Sequence, residues 1–76
     1  MALAFVLVNW KTGIDEKKTL NEIRKIEGVK EAYNVFGIYS LVVKIEADSE
    51  ARIKEIVHRK IRNHPDVVST MTMIAI

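Results

Sequence analysis

The sequence predicts an α+β domain of four strands and two helices, and three observations carry that prediction. Apolar residues alternate or run together in four short stretches. They repeat with helical spacing in two others. Each helical stretch lies between two strand stretches. The chain has 76 residues, which makes residues 1–76 one domain and leaves no room for a second.

Leu3 to Trp10 is rich in Val, Leu and aromatics, stops before Thr12-Gly13, and is too short for a core helix. It reads as the first strand. Leu20, Ile23 and Ile26 then lie three apart, with Lys17, Lys18, Glu22, Arg24 and Lys25 around them, which predicts an amphipathic helix from about Ile14 to Glu27. Thr12 with Asp15 approximates a capping box, and Gly28 stands at the expected C′ position. Val29 to Phe36 reads as the second strand, broken by Gly37. Tyr39 to Ala47 reads as the third, with Leu41, Val43 and Ile45 opposing Val42, Lys44 and Glu46. Asp48 and Ser49 are good N-caps for a helix from about Glu50 to Arg62, whose stripe is Ile53, Ile56, Val57 and Ile61. Asn63-His64-Pro65-Asp66 stops it, and Val67 to Ile76 closes the chain as the fourth strand.

The order βαββαβ is the split-βαβ, ferredoxin-like arrangement: a four-stranded antiparallel sheet with both helices on one face. The helices bury only one side of that sheet, yet strands one and four are apolar on both. Leu3, Phe5 and Leu7 oppose Val6, Val8 and Trp10, while Val68 and Ile74 oppose Met71, Met73 and Ala75. A strand apolar on both sides wants both sides buried. A sheet-to-sheet homodimer is the simplest cover. With no cysteine, no disulfide is available to staple so small a domain, which points the same way.

The enzyme constellations are missing. There is no Cys nucleophile or ligand, so catalytic thiolates and Cys-held metals are excluded. His58 and His64 lack a third ligand at useful spacing, and the residues imply no metal and no cofactor. A small enzyme would need one of these histidines paired with a carboxylate in a pocket. Glu50 with Lys54 and Glu55 with Arg59 have the i,i+4 spacing of solvated helix pairs. The glycines at 13, 28 and 37 never cluster into a phosphate cradle. A net charge of +2 is too even to announce a nucleic-acid binder, and Glu50 and Glu55 interrupt the Arg52, Arg59, Arg62 face. The opening apolar run has no positive flank and ends at Asn9, too short for a membrane helix of about 20 residues, so no membrane partner and a cytoplasmic location are expected.

The second half carries a more specific signal. Gly37-Ile38-Tyr39-Ser40, Leu41-Val42-Val43-Lys44-Ile45-Glu46-Ala47, the helix end Lys60-Ile61-Arg62, and Pro65-Asp66-Val67-Val68-Ser69-Thr70-Met71-Thr72-Met73-Ile74 resemble the ligand-binding (RAM) domain of the Lrp/AsnC transcriptional regulators. The likeness extends through Ile26-Glu27-Gly28-Val29 to the whole chain. It resembles the stand-alone form of that family, lacking the DNA-binding helix-turn-helix, and the initial Met is that expected of a complete gene product.

The resemblance implies sheet-to-sheet dimers, a ring of four such dimers, and a free amino acid as effector at the interfaces between dimers. Gly37 and Tyr39 match the family's Gly-x-Tyr-Asp loop, with Ile38 between them, and Ser40 stands where that pattern often has aspartate. A carboxylate there would meet an ammonium group, and serine removes that charge while keeping a hydroxyl. Ser69, Thr70 and Thr72 match the family's Thr-x-Thr region of the last strand. The expected function is therefore amino-acid sensing, acting on transcription indirectly through a full-length regulator of the same family, without direct contact to nucleic acid. The alternative is an interaction module that co-assembles with such a regulator and binds no small molecule.

Overall fold

The computed structural model describes residues 1–76. Four strands, β1 (Ala2–Trp10), β2 (Val29–Asn34), β3 (Leu41–Ala47) and β4 (Val67–Ile74), form one sheet in the order β2-β3-β1-β4. All neighbouring pairs are antiparallel. Helix α1 (Glu16–Arg24) connects β1 to β2, and α2 (Glu50–Ile56) continues into a π-helical turn, Val57–Ile61, before β4. This is the expected ferredoxin-like βαββαβ fold.

Strand parity follows from the two-residue repeat of extended chain. Ala4, Val6, Val8 and Trp10 of β1, Leu41, Val43 and Ile45 of β3, and Ala32 of β2 point under the helices, where Leu20, Ile23, Ile53, Ile56, Val57 and Ile61 meet them. These fourteen residues are the core. The other parity of β1 faces away from the helices and remains only partly covered.

The helix boundaries show which local chemistry wins. Asp15, in extended conformation, is the N-cap of α1, and its carboxylate accepts from the Lys18 amide at 3.1 Å. An aspartate directly before the first turn displaces the Thr12 cap expected from sequence, so α1 starts later than Ile14. It also ends earlier, at a C-cap on Lys25. Gly28 therefore lies beyond the C′ position and serves the turn into β2 at φ +96°. A Cβ there would stand 2.9 Å from Ile56 Cδ1 and 3.3 Å from the Glu46 carbonyl. Gly28 is thus a point of close approach between that turn, β3 and α2. The Arg24 guanidinium ties the end of α1 to β2, donating to the Ala32 carbonyl at 2.8 and 3.2 Å.

In α2, Ser49 is the cap, accepting from the Arg52 amide at 3.1 Å. The π turn, closed by Arg62 N–H donating to the Val57 carbonyl at 2.8 Å, was not expected. Four residues of an ideal α-helix overshoot a full turn by about 40°. The wider turn removes part of that overshoot, so Ile61 stays on the core face with Val57, both buried. Of the anticipated ion pairs on this helix, Glu55–Arg59 forms at 3.8 Å. Glu55 also pairs with Arg52, whereas Glu50 and Lys54 form no pair.

Candidate functional site

Residues 35–40 connect β2 to β3 at one end of the sheet. The Val35 amide donates to the Ser40 carbonyl at 3.0 Å, and the Ser40 amide donates to the Val8 carbonyl at 3.0 Å. The Ser40 hydroxyl donates to Asn9 Oδ1 at 3.2 Å. Three bonds thus anchor Ser40 to the start of β3, while the tip beyond it projects: Phe36 is fully exposed and Ile38 is 89% exposed. Gly37 has φ outside the left-handed region, and a Cβ there would meet nothing within 4 Å. The tight-turn and close-approach reasons for glycine therefore do not operate within the single chain.

The other candidates divide. Ser69 is the cross-strand partner of Asn9, so Ser40, Asn9 and Ser69 share one row on the face away from the helices. Thr70 and Thr72 face Val8 and Val6, which puts them on the helix side of edge strand β4. A register shift explains the start of that strand: Asn9 faces Ser69 but Trp10 faces Val67, so Val68 is the extra, exposed residue. The loop and the hydroxyls of β4 do not form one site within a protomer.

What the structure does bring together around the loop is a cavity of about 270 Å³, open to solvent. Trp10 at the end of β1, Lys11 and Thr12 of the turn after it and Glu16 at the start of α1 line it together with Val35, Phe36, Gly37, Tyr39 and Ser40. Lys11 and Glu16 were not among the sequence candidates, since nothing in spacing links them to residues 37–40. The turn itself is held down: the Lys11 amide donates to the Asp66 carbonyl at 2.8 Å, and Asp66 Oδ2 accepts from the buried Thr19 hydroxyl at 2.8 Å. His64 completes this clasp, with Nε2 2.8 Å from Glu22 Oε1 and Nδ1 accepting from the Asp66 amide at 3.1 Å. A ring nitrogen that accepts from a backbone N–H carries no proton, which leaves the Nε2 proton for Glu22. These bonds join α1 to the turn before β4 and orient no reacting group.

Across the outer face, the rows are Tyr33, Val42, Leu7, Met71 and Glu31, Lys44, Phe5, Met73. Tyr33 is 53% exposed, Phe5 37%, Met71 48% and Met73 46%. Among them Lys44 pairs with Glu31 at 3.3 Å, and the Tyr33 hydroxyl donates to the same carboxylate. That hydroxyl, and secondarily the Lys44 ammonium, hold the Glu31 carboxyl below its usual range. The Glu31 carboxylate in turn pushes the Tyr33 phenol up.

A sequence profile described as the Lrp/AsnC ligand-binding domain matches residues 3–76. The chain belongs to the Lrp/AsnC family. A helix-turn-helix-type transcriptional regulator of Pyrococcus furiosus is 32% identical over 74 residues, which are 95% of this chain and 49% of that protein. The chain thus spans about half the length of the curated relatives it matches. Among solved structures, a hypothetical protein from Pyrococcus horikoshii is similar with a TM-score of 0.89 and 38% identity, over 100% of this chain and 90% of that one. A transcriptional regulator from Neisseria meningitidis, solved as a complex with L-Met, has a TM-score of 0.88 over 99% of this chain and 49% of that one. At 14% identity it shows that the Lrp/AsnC ligand-domain fold is shared. No helix of the chain is long and apolar enough to cross a membrane.

Proposed function

We propose that this Lrp/AsnC chain is an oligomeric amino-acid sensor. Two protomers pack outer face to outer face, four such dimers associate in a ring, and a free amino acid is held at Gly37 to Ser40 where dimers meet. The observation that carries the reading is the juxtaposition of an apolar outer face, bearing Phe5, Met71 and Met73, with a projecting loop at its end. The face supplies the drive to assemble, and the tip of the loop, exposed in one protomer, gains further walls from neighbours. The L-Met complex of the Neisseria regulator, which shares the fold, is consistent with an amino acid as ligand.

Effector and assembly are linked: a ligand that binds where protomers meet favours the assembly that completes its pocket. DNA contact falls to a full-length regulator that joins the same assembly, and the protein works in the cytoplasm without catalysis. Native mass spectrometry with and without a mixture of the twenty amino acids tests this. The expected spectrum shows an even multiple of the protomer with amino-acid-sized increments. A monomer without adducts would refute it.

A second reading, an interaction module without a small-molecule site, is favoured by Phe36 and Ile38. Two exposed apolar side chains at a loop tip suit a protein surface, and the Ser40 hydroxyl is already engaged by Asn9. In that case the even multiple persists with no increments.

A further inference from the structure

We propose that Met71 and Met73 are paired oxidation sites, at which a peroxide converts the thioethers to sulfoxides and so holds protomers apart. This rests on the outer-face assembly proposed above, and adds a modification to it together with the class of reagent that makes it.

Placement comes first. The chain has no cysteine, so its sulfur is confined to three methionines. Met1 precedes β1 and is 95% exposed, whereas Met71 and Met73 stand on edge strand β4 at 48% and 46% exposure. Residues two apart on a strand share a face. Both therefore sit among the apolar side chains of the outer face, Met71 across from Leu7 and Met73 across from Phe5. None of the buried residues that hold the helices to the sheet is a methionine. Oxidation at these two positions alters the face and spares the core.

The step needs nothing beyond the peroxide. A sulfur lone pair attacks one peroxide oxygen, the O–O bond breaks as the S–O bond forms, and the other oxygen of hydrogen peroxide leaves as water. Sulfur gives up two electrons and the peroxide takes them. A sulfoxide reductase with a dithiol runs the change back, releasing water and leaving the dithiol as a disulfide.

The consequence follows from what the face offers the new oxygen. A sulfoxide is a polar acceptor, and in an apolar contact it needs a donor. The side-chain donors in the two rows that hold these methionines are the Tyr33 hydroxyl and the Lys44 ammonium, and both are engaged by Glu31. A second copy packed on the face brings the same rows with the same engaged donors. Each sulfoxide buried there without a partner weakens the packing by about tenfold, and two protomers bring four of them. The coupling runs both ways: packed faces shield the thioethers, so oxidation takes the free protomer and keeps it free.

The test treats the 76-residue chain with hydrogen peroxide at a dilute and a concentrated protomer level. Native mass spectrometry reads the assembly, and peptide mapping places the increments of about 16 Da, with Met1 as the exposed reference. Met71 and Met73 should oxidise several-fold faster, relative to Met1, in the dilute sample. The oxidised chain should be a monomer with native circular dichroism, and reductase with dithiothreitol should restore the even multiple. Met71→Leu with Met73→Leu keeps the face apolar at similar volume, so it should assemble like the wild type and stay assembled after peroxide. An even multiple that survives oxidation of both residues overturns the proposal and leaves the sensor reading standing. So does dissociation of the leucine variant by peroxide, or oxidation of Met1 alone at both concentrations. A monomer before any peroxide is added overturns the assembly reading, and this proposal with it.

Discussion

Replacing Gly28 by alanine separates backbone strain from packing, because a second glycine of the chain supplies the control. Gly13 has φ +80° with nothing within 4 Å of a built Cβ, whereas Gly28 has φ +96° with Ile56 Cδ1 at 2.9 Å and the Glu46 carbonyl at 3.3 Å. An L-residue forced into the left-handed region costs about 1–2 kcal/mol, and this applies at both positions. At Gly28 the methyl also enters a filled space. The Glu46 oxygen is held by the sheet, and Ile56 is only 3% exposed, so neither neighbour yields freely. Overpacking of this kind adds about 1–3 kcal/mol. In a domain of this size each kcal/mol moves the melting temperature by about 4–8 °C, so Gly28→Ala should melt at least ~5 °C below Gly13→Ala. Thermal unfolding followed by circular dichroism at one fixed protomer concentration measures the difference, since any assembly makes the midpoint concentration-dependent. Ile56→Val removes the offending Cδ1 at a cost of about 0.5–1.5 kcal/mol on its own. Combined with Gly28→Ala it should be less damaging than the sum of the two by at least ~0.5 kcal/mol. Equal melting of the two alanine variants, together with strict additivity in the double variant, would refute the packing account.

Three further outcomes are expected. Thr19→Val removes the buried hydroxyl that donates to Asp66 and should cost about 1–2 kcal/mol, toward the low end for a bond to a charged group because Asp66 is only half-buried. An unchanged urea midpoint would show that the clasp between α1 and the β4 turn contributes nothing. Met71→Lys with Met73→Lys puts two charges on the outer face without touching the core, and sedimentation should then find a monomer with native circular dichroism; an intact assembly would place the interface elsewhere. Because the folded-state pKa of Glu31 is lowered, its contribution is present above the ordinary carboxylate value of about 4.3 and is lost as pH falls through the folded value. Midpoints of the wild type and Glu31→Gln should therefore differ near neutrality and converge in acid; a gap that persists at low pH contradicts the Tyr33–Glu31–Lys44 arrangement.

The parts of the fold legible in the sequence were those governed by period. Parity sorted Val6, Val8 and Trp10 from Leu3, Phe5 and Leu7, and the spacing of Ile53, Ile56, Val57 and Ile61 named the face that α2 buries. Element ends were less legible, because they depend on which of several competent groups reaches the backbone first. Thr12 and Asp15 are both good caps, and only the conformation at residue 15 decides between them. Gly28 looked like a helix terminator when its reason is tertiary, a contact with Ile56 far along the chain. The candidate site divided in the same way. The loop at Gly37 to Ser40 carried a family pattern that could be read from residue order. Lys11 and Glu16 carry no local pattern, and only the return of β3 beside β1 puts them beside that loop. Ser69 and Thr70 are adjacent in sequence yet lie on opposite faces of the sheet, which an edge strand permits without any compositional sign.

The position of β1 has a consequence for how the chain comes into being. It is synthesised before either of its neighbours in the sheet, β3 and β4, and its Ala4 pairs with Ile74 of the last strand. The most apolar stretch of the molecule therefore has no strand partner until more than half the chain has emerged, and lacks its second until the last strand does. Loop closure must come before these long-range pairings reward it, which slows folding. It also leaves Leu3 to Trp10 available meanwhile to other nascent chains or to chaperones. The yield of folded protein should then depend on synthesis rate and on the crowding of neighbouring ribosomes as well as on the stability of the finished domain.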